Sequence, residues 1–301
     1  MKNYSTLIFV GNGFDLAVGF PTSYSHFYNS DYFKSLIKSG NSIAQHIEKK
    51  KLQTGNWSDL ELELFNIVKE NEYDNSFGTH FNEIKQGLYQ FIQYALRKPD
   101  ESFQHLRMQR LLKQLYSEDN AIKAISFNYS AVFEYMWGRA IDSSDVETQH
   151  VHGSLGLGNS ASPNIVLGID ETMQVPDELD FLYKANDDNR DNYSLTELIQ
   201  EAKRIIIFGC SMGESDRWYF EQLFQNCKGK LIEIHAYKED AMLTSKRRIK
   251  DFAKKSMSDF TSETRLVVFD NSDIDQLINE REIYYKTKMP DYLSSLKDSA
   301  S

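Results

Sequence analysis

Thr6-Leu7-Ile8-Phe9-Val10-Gly11-Asn12-Gly13-Phe14-Asp15-Leu16-Ala17 opens the chain with a short apolar run that breaks at once into two glycines. An apolar run bounded by a turn signal reads as a buried strand, because a strand covered on both faces needs no polar alternation. Glycines one residue apart let the backbone turn sharply and approach a ligand or another segment closely. A helix starting just beyond them offers its first amides to an anion such as a pyrophosphate. The pattern stops short of the dinucleotide fingerprint G-x-G-x-x-G, since Leu16 stands where the third glycine belongs, so packing or ligand depth must differ. A plain strand-to-helix turn with Asp15 as its cap accounts for the same residues equally well.

Similar apolar runs recur at residues 122–127, 150–152, 165–169, 204–208, 231–236 and 265–269. Helical patterns lie between several of them, at 131–141, 216–224 and 239–254. This alternation predicts an α/β fold, a mostly parallel Rossmann-like sheet with helices on both faces, in one nucleotide-binding domain over residues 1–301. Residues 25–117 break it: no strand is evident there, and Trp57, Leu60, Leu64, Ile67 and Val68 recur at helical spacing. We expect a large helical insertion after the first strand. The acidic, polar stretch 170–192, with its run 186–192 lacking any apolar face, reads as a loop or lid.

A chain of 301 residues with 41% hydrophobic and 13% aromatic content can bury a full core. Its formal net charge of -10 argues against an extended nucleic-acid surface, whose phosphates would need a basic face. Cys210 and Cys227 make neither a disulfide framework nor a zinc module, which suits a reducing compartment. The apolar runs at 7–10 and 205–208 are too short for a signal-peptide core or a bilayer span. The expectation is a cytoplasmic protein without membrane partners.

Several polar residues fall at predicted strand ends, where ligands of open α/β sheets sit. Ser126-Phe127-Asn128-Tyr129 places an amide there, which a simple turn would also explain. His150-Val151-His152-Gly153 puts two imidazoles on one face of a strand by its period of two. Three roles are open to them: hydrogen-bonded structural pair, metal ligands with an acid such as Asp170, or a general base at His152 beside a ligand. Gly209-Cys210-Ser211-Met212-Gly213-Glu214-Ser215-Asp216 is a second glycine turn feeding a helix, where Asp216 would serve as a cap if nothing more. Asp59 and Glu61 suit the first turn of an amphipathic helix.

Taken in order, Gly11-Asn12-Gly13-Phe14-Asp15-Leu16, Thr22-Ser23-Tyr24, Trp57 with Asp59 and Glu61, Ser126-Phe127-Asn128-Tyr129, His150-Val151-His152-Gly153, Gly168-Ile169-Asp170 and Gly209-Cys210-Ser211-Met212 resemble the bacteriophage abortive infection AbiH family. The series spans most of the chain. More remotely, the same skeleton is similar to the Sir2-like fold, in which a glycine-rich first turn, an Asn after a central strand and a His-Gly pair surround NAD.

The resemblance implies a small-molecule nucleotide, NAD or a relative, as ligand or substrate, with a phage-encoded trigger and a homo-oligomer as further partners. Gly11, Asn12, Gly13, Phe14, Thr22, Tyr24, His150, Gly209, Ser211 and Asp216 would contact the nucleotide. Asn128 would orient a ribose or water, His152 would act as base and Asp15 as a nearby acid while the N-glycosidic bond opens through an oxocarbenium-like state. Protein-deacylating sirtuins carry a four-cysteine zinc module that two cysteines cannot build, so the resemblance implies NAD cleavage and not deacylation. A catalytically silent nucleotide sensor acting through a partner and a metal-dependent hydrolase on His150 and His152 are the alternatives.

Overall fold

Apolar residues at successive positions of the first run point alternately to the two faces of the sheet, and both faces are covered. The computed structural model describes residues 4–54, 59–97, 104–119, 121–142, 146–155, 165–170, 172–186 and 194–292. Within it, β1 (Thr6–Val10), β2 (Ile122–Ser126), β3 (Glu147–His150), β4 (Arg204–Phe208), β5 (Leu231–Ala236) and β6 (Arg265–Asp270) form one sheet in the order β3-β2-β1-β4-β5-β6. All neighbours are parallel. The order runs outward in opposite directions from β1 and β4, which is the arrangement of a doubly wound dinucleotide-type sheet with its switch point between those two strands.

The helices are α1 (Asn12–Val18), α2 (Tyr24–Asn29), α3 (Asp31–Lys38), α4 (Ser42–Thr54), α5 (Leu60–Lys69), α6 (Phe77–Ala95), α7 (Gln104–Glu118), α8 (Val132–Ala140), α9 (Leu195–Glu201), α10 (Arg217–Asn226), α11 (Lys238–Ala253), α12 (Met257–Glu263) and α13 (Ile274–Lys288). Ile8, Val10, Ala124 and Ile206 face a core shared with α1, α7, α8 and α13. Leu7, Phe9, Ile125 and Ile207 face the other core, with α9, α10, α11 and α12. The α/β sandwich expected from the sequence is therefore present, helices on both faces included.

Helices α2 to α6 build a third core. Phe77, Phe81, Ile84, Leu88 and Phe91 on α6 form a stripe at spacings of three and four that packs on Phe27, Phe33, Ile43, Leu60 and Leu64. Helix α7 does not belong to it: Met108, Leu111, Leu112 and Leu115 pack on the sheet. As a packing unit the insertion thus ends before α7, although no strand is evident in the sequence before residue 117.

Two strand expectations need correction. Residues 165–169 make only isolated bridges, Gly153 with Ile165 and Ile169 with Tyr183. Ile165, Leu167 and Ile169 are buried against the helical insertion, so the run is apolar without being a sheet strand. The histidine strand is β3, which starts earlier and ends at His150, with Val151 and His152 already in a turn. Part of the expected lid and Trp57 lie outside the described residues.

Candidate nucleotide site

Val10 of β1 is paired with Ser126 of β2 on one side and Phe208 of β4 on the other, so the three following turns emerge side by side. Between them lies a cavity of about 400 Å³, roofed by Tyr24, Asp59, Glu61, Leu88 and Ile92 of the insertion. Gly11, Asn12, Gly13, Asp15, Thr22, Tyr24, Asn128, His152, Gly209, Ser211 and Asp216 all line it. Segments far apart in sequence meet here because the sheet order puts their strands together.

The glycines act by close approach. Gly13 N–H donates to Gly209 O at 2.9 Å, and a Cβ on Gly13 would sit 2.6 Å from Gly209 Cα. Gly209 also needs its left-handed φ of 66°. Phe14 N–H donates to Gly11 O at 2.9 Å, so the amides of Gly13 and Phe14 are engaged within the protein instead of being open to a phosphate.

Asp15 is 1% exposed and is no helix cap. Its carboxyl accepts hydrogen bonds from Ser130 Oγ at 2.5 Å, Asn128 Nδ2 at 2.8 Å and Thr22 Oγ1 at 3.1 Å. Burial still pushes its pKa up to about 6, against these three bonds. Asn128 Nδ2 gives its second hydrogen to Gly11 O at 3.1 Å. With both donors committed the amide orientation is determined, and Asn128 Oδ1 is left buried without a partner. Asp15 positions Asn128; the free acceptor belongs to Asn128.

On the facing wall, buried Lys184 gathers the remaining polar groups. Its ammonium donates to Glu61 Oε2, Ser215 O and Asp216 Oδ1, each at 3.0 Å, and lies 3.2 Å from His152 Nε2. Three donors meet three acceptors, so the hydrogen between His152 and Asp216 Oδ1, 2.9 Å apart, resides on Nε2. That tautomer leaves Nδ1 as a lone-pair acceptor.

Several carboxyls share one ammonium, and they divide their roles. Burial raises Asp216, but Lys184 and then His152 more than reverse it and hold its carboxylate well below the usual range. Burial pushes Glu61 up to about 8, offset in part by Lys184 and reinforced by Asp216 and Asp59. Asp59 is also raised, chiefly by burial. Lys184 stays protonated, since Asp216 and Glu61 outweigh the cost of burying it. Burial, then the Lys184 charge, lowers His152. Burial thus favours a neutral imidazole and a protonated carboxyl around one lysine, and Glu61 Oε1 is buried without a partner.

A family model described as Bacteriophage abortive infection AbiH matches residues 7–238. The chain belongs to the AbiH family. Membership gives it a role in bacteriophage abortive infection. No curated protein matches the chain. Among the described residues of this AbiH protein no helix is long and apolar enough to cross a membrane.

Two expected contacts fall away from the AbiH cavity. Phe14 is a core side chain, edge-on to Phe133 at 5.3 Å and Phe208 at 5.4 Å, because α1 turns that position toward the sheet. His150 Nδ1 faces Asn128 O at 3.1 Å and its Nε2 meets Glu134 Oε1 at 2.5 Å. The histidines do not share a face, since the strand ends between them, and this takes away the basis for a metal pair. Asp170, the acid considered with them, accepts from Thr172 N–H at 2.9 Å and Thr172 Oγ1 at 2.7 Å.

Lys184 and Glu61 escaped the sequence reading as site residues. Asp59 does cap α5, accepting from Glu61 N–H at 3.0 Å, as first-turn acids do. Its neighbour Glu61 is nevertheless turned inward, 3% exposed. Glu61 did stand in the series that resembles the family, but its position suited a first-turn acid, and Lys184 lay in an acidic segment that looked solvated.

Proposed function

We propose that this AbiH-family protein binds NAD or a related ribosyl nucleotide in the cavity below the insertion and hydrolyses its N-glycosidic bond during abortive infection. The observation that carries the reading is the pairing of His152 and Glu61 across Lys184, with opposite protonation preferences, beside the free Asn128 Oδ1. A ribose supplies hydroxyl donors, and Asn128 Oδ1 is the acceptor positioned for one of them or for the attacking water. His152 Nδ1 removes the proton from that water as it adds to C1′. The proton held by Glu61 is available to a leaving base that needs one. The acid-rich wall, with Asp216 ionised, favours the positive charge that develops on the sugar ring as the bond opens.

Purified protein incubated with NAD should release nicotinamide, in the resting state or with an infection trigger added. His152→Ala should slow release about a hundredfold to ten-thousandfold, the usual contribution of a positioned base. Turnover indifferent to that change would sink the assigned mechanism. Saturable binding without turnover under triggered conditions would favour the silent sensor instead.

A further inference from the structure

We propose that the cleft takes a two-ended ligand, a dinucleoside pyrophosphate, whose second nucleoside sits over β4 to β6 with Asn271 as its recognition residue. The inference rests on the nucleotide reading of the first cavity and adds a separate subsite to it. A second cavity of about 840 Å³ adjoins the first, and Gly13, Leu16, Gly209, Cys210 and Ser211 line both. Both volumes fall within the roughly 300–1,000 Å³ of small-molecule sites. The shared wall lies at the β1 and β4 switch point, where the crevice of an open α/β sheet crosses from one half to the other. Within it Gly13 and Gly209 touch backbone to backbone and add no side chain to the wall.

The floor of the second cavity carries its own unsatisfied acceptor. Asn271 follows β6 and is 5% exposed. Its N–H donates to Ala236 O at 2.9 Å and its Nδ2 to His235 O at 3.4 Å, which orients the amide. Asn271 Oδ1 is then buried with no partner, in the lining of the cavity. A buried acceptor left unpaired is costly, and a hydroxyl or exocyclic amine of a nucleoside would satisfy it. Tyr237, 59% exposed, and Thr244 stand in the same lining. Asn128 Oδ1 and Asn271 Oδ1 thus mark the two ends of one crevice, and Ser211, at the shared wall, has an N–H with no main-chain acceptor among the described residues, suited to an anionic linker. Asn271 lies beyond the stretch matched by the family model.

The test compares NAD with nicotinamide mononucleotide by calorimetry on the full chain, in a His152→Ala background so that little NAD is consumed during the titration. NAD should bind at least about tenfold more tightly than the mononucleotide, the effect of one buried hydrogen bond or more. Asn271→Leu should bring NAD down to the affinity of the mononucleotide and leave the latter unchanged. Thr244→Trp, which fills the cavity from an exposed position and keeps the Asn271 hydrogen bonds, should do the same. Equal affinities for the two compounds, or variants that weaken both alike or neither, overturn the second subsite alone. Binding of neither compound overturns the nucleotide reading and this proposal with it.

Discussion

Lys184 holds three partners that come from the helical insertion and from the turn after β4, and it does so almost out of water. Removing one member of a buried ionic group leaves the others uncompensated, so Lys184→Met should cost about 3–5 kcal/mol in urea denaturation. Its loss should also move the titration of His152 upward, because the lysine charge is one of the two causes that lower it. The pH profile follows. The proposed hydrolysis uses neutral His152, so kcat/KM should fall on the acid side below 6.5; with a substrate whose leaving base must be protonated, it should also fall on the alkaline side near pH 8, where Glu61 loses its proton. Lys184→Met should shift the acid limb to higher pH, and Glu61→Gln should abolish the alkaline one. Limbs that stay in place in both variants would remove the acid and base assignment. Stability carries the same signature. The folded chain keeps a proton on Glu61 that the unfolded chain releases above about 4.5, so this contribution is full below that pH and is lost as pH rises through about 8. Between pH 6 and 9 the wild type should therefore lose more stability than Glu61→Gln.

At the level of elements, the turns after β1 and β4 behave as one unit because their backbones touch. Gly13→Ala forces a Cβ to within 2.6 Å of Gly209 Cα, with backbone on both sides and no side chain to yield. The loops must part, at a cost of about 1–3 kcal/mol, and binding in both cavities should weaken with the shared wall displaced. Gly138→Ala, in the exposed part of α8 where an added Cβ meets nothing within 4 Å, should stabilise by about 0.5–1 kcal/mol and leave binding untouched. Melting temperatures of the two variants, which differ by the same methyl group, separate close approach from conformational freedom. Helix α5 shows a related division of labour: Leu60, Leu64 and Ile67 face the insertion core while Asp59 and Glu61 close over the cavity. The same helix thus packs the insertion and supplies acids to the cavity.

Across the whole molecule, a second buried ionic group fastens the sheet to its helices away from the proposed nucleotide site. Arg281 of α13 bonds Glu118 Oε2 of α7 at 2.8 Å and also Glu233 of β5, while Arg204 at the start of β4 pairs with Glu118 Oε2 at 3.0 Å. Tyr285 Oη donates to Glu233 Oε2 at 2.6 Å. Arg281→Met should lower stability by about 3–5 kcal/mol, by leaving Glu233 and Glu118 with too little positive charge. Nucleotide affinity measured well below the melting temperature should stay within a fewfold, since none of Arg204, Arg281, Glu118, Glu233 and Tyr285 lines either cavity and only Glu233 touches a lining residue, His235.

The apolar runs of β1, β4 and β5 are buried at every residue, and burial on both faces of a parallel sheet is what makes such strands readable without alternation. The same run of apolar residues at 165–169 is ambiguous in sequence, because packing against helices demands the same side chains as packing in a sheet. Gly11, Gly13, Gly209, Asn128 and His152 announce themselves by standing at strand ends, where the doubly wound order gathers ligand-binding turns. Glu61, Lys184 and Asn271 do not, since a buried charge or amide has the same letter as a solvated one. Sequence by itself determined the alternating α/β order, the strands β1, β2, β4, β5 and β6, the glycine turns and the family. Only the tertiary structure decided which carboxyl keeps its proton and which amide oxygens lack a partner, because both depend on burial and on contacts between residues 61, 184 and 216 or 236 and 271 that no local pattern records.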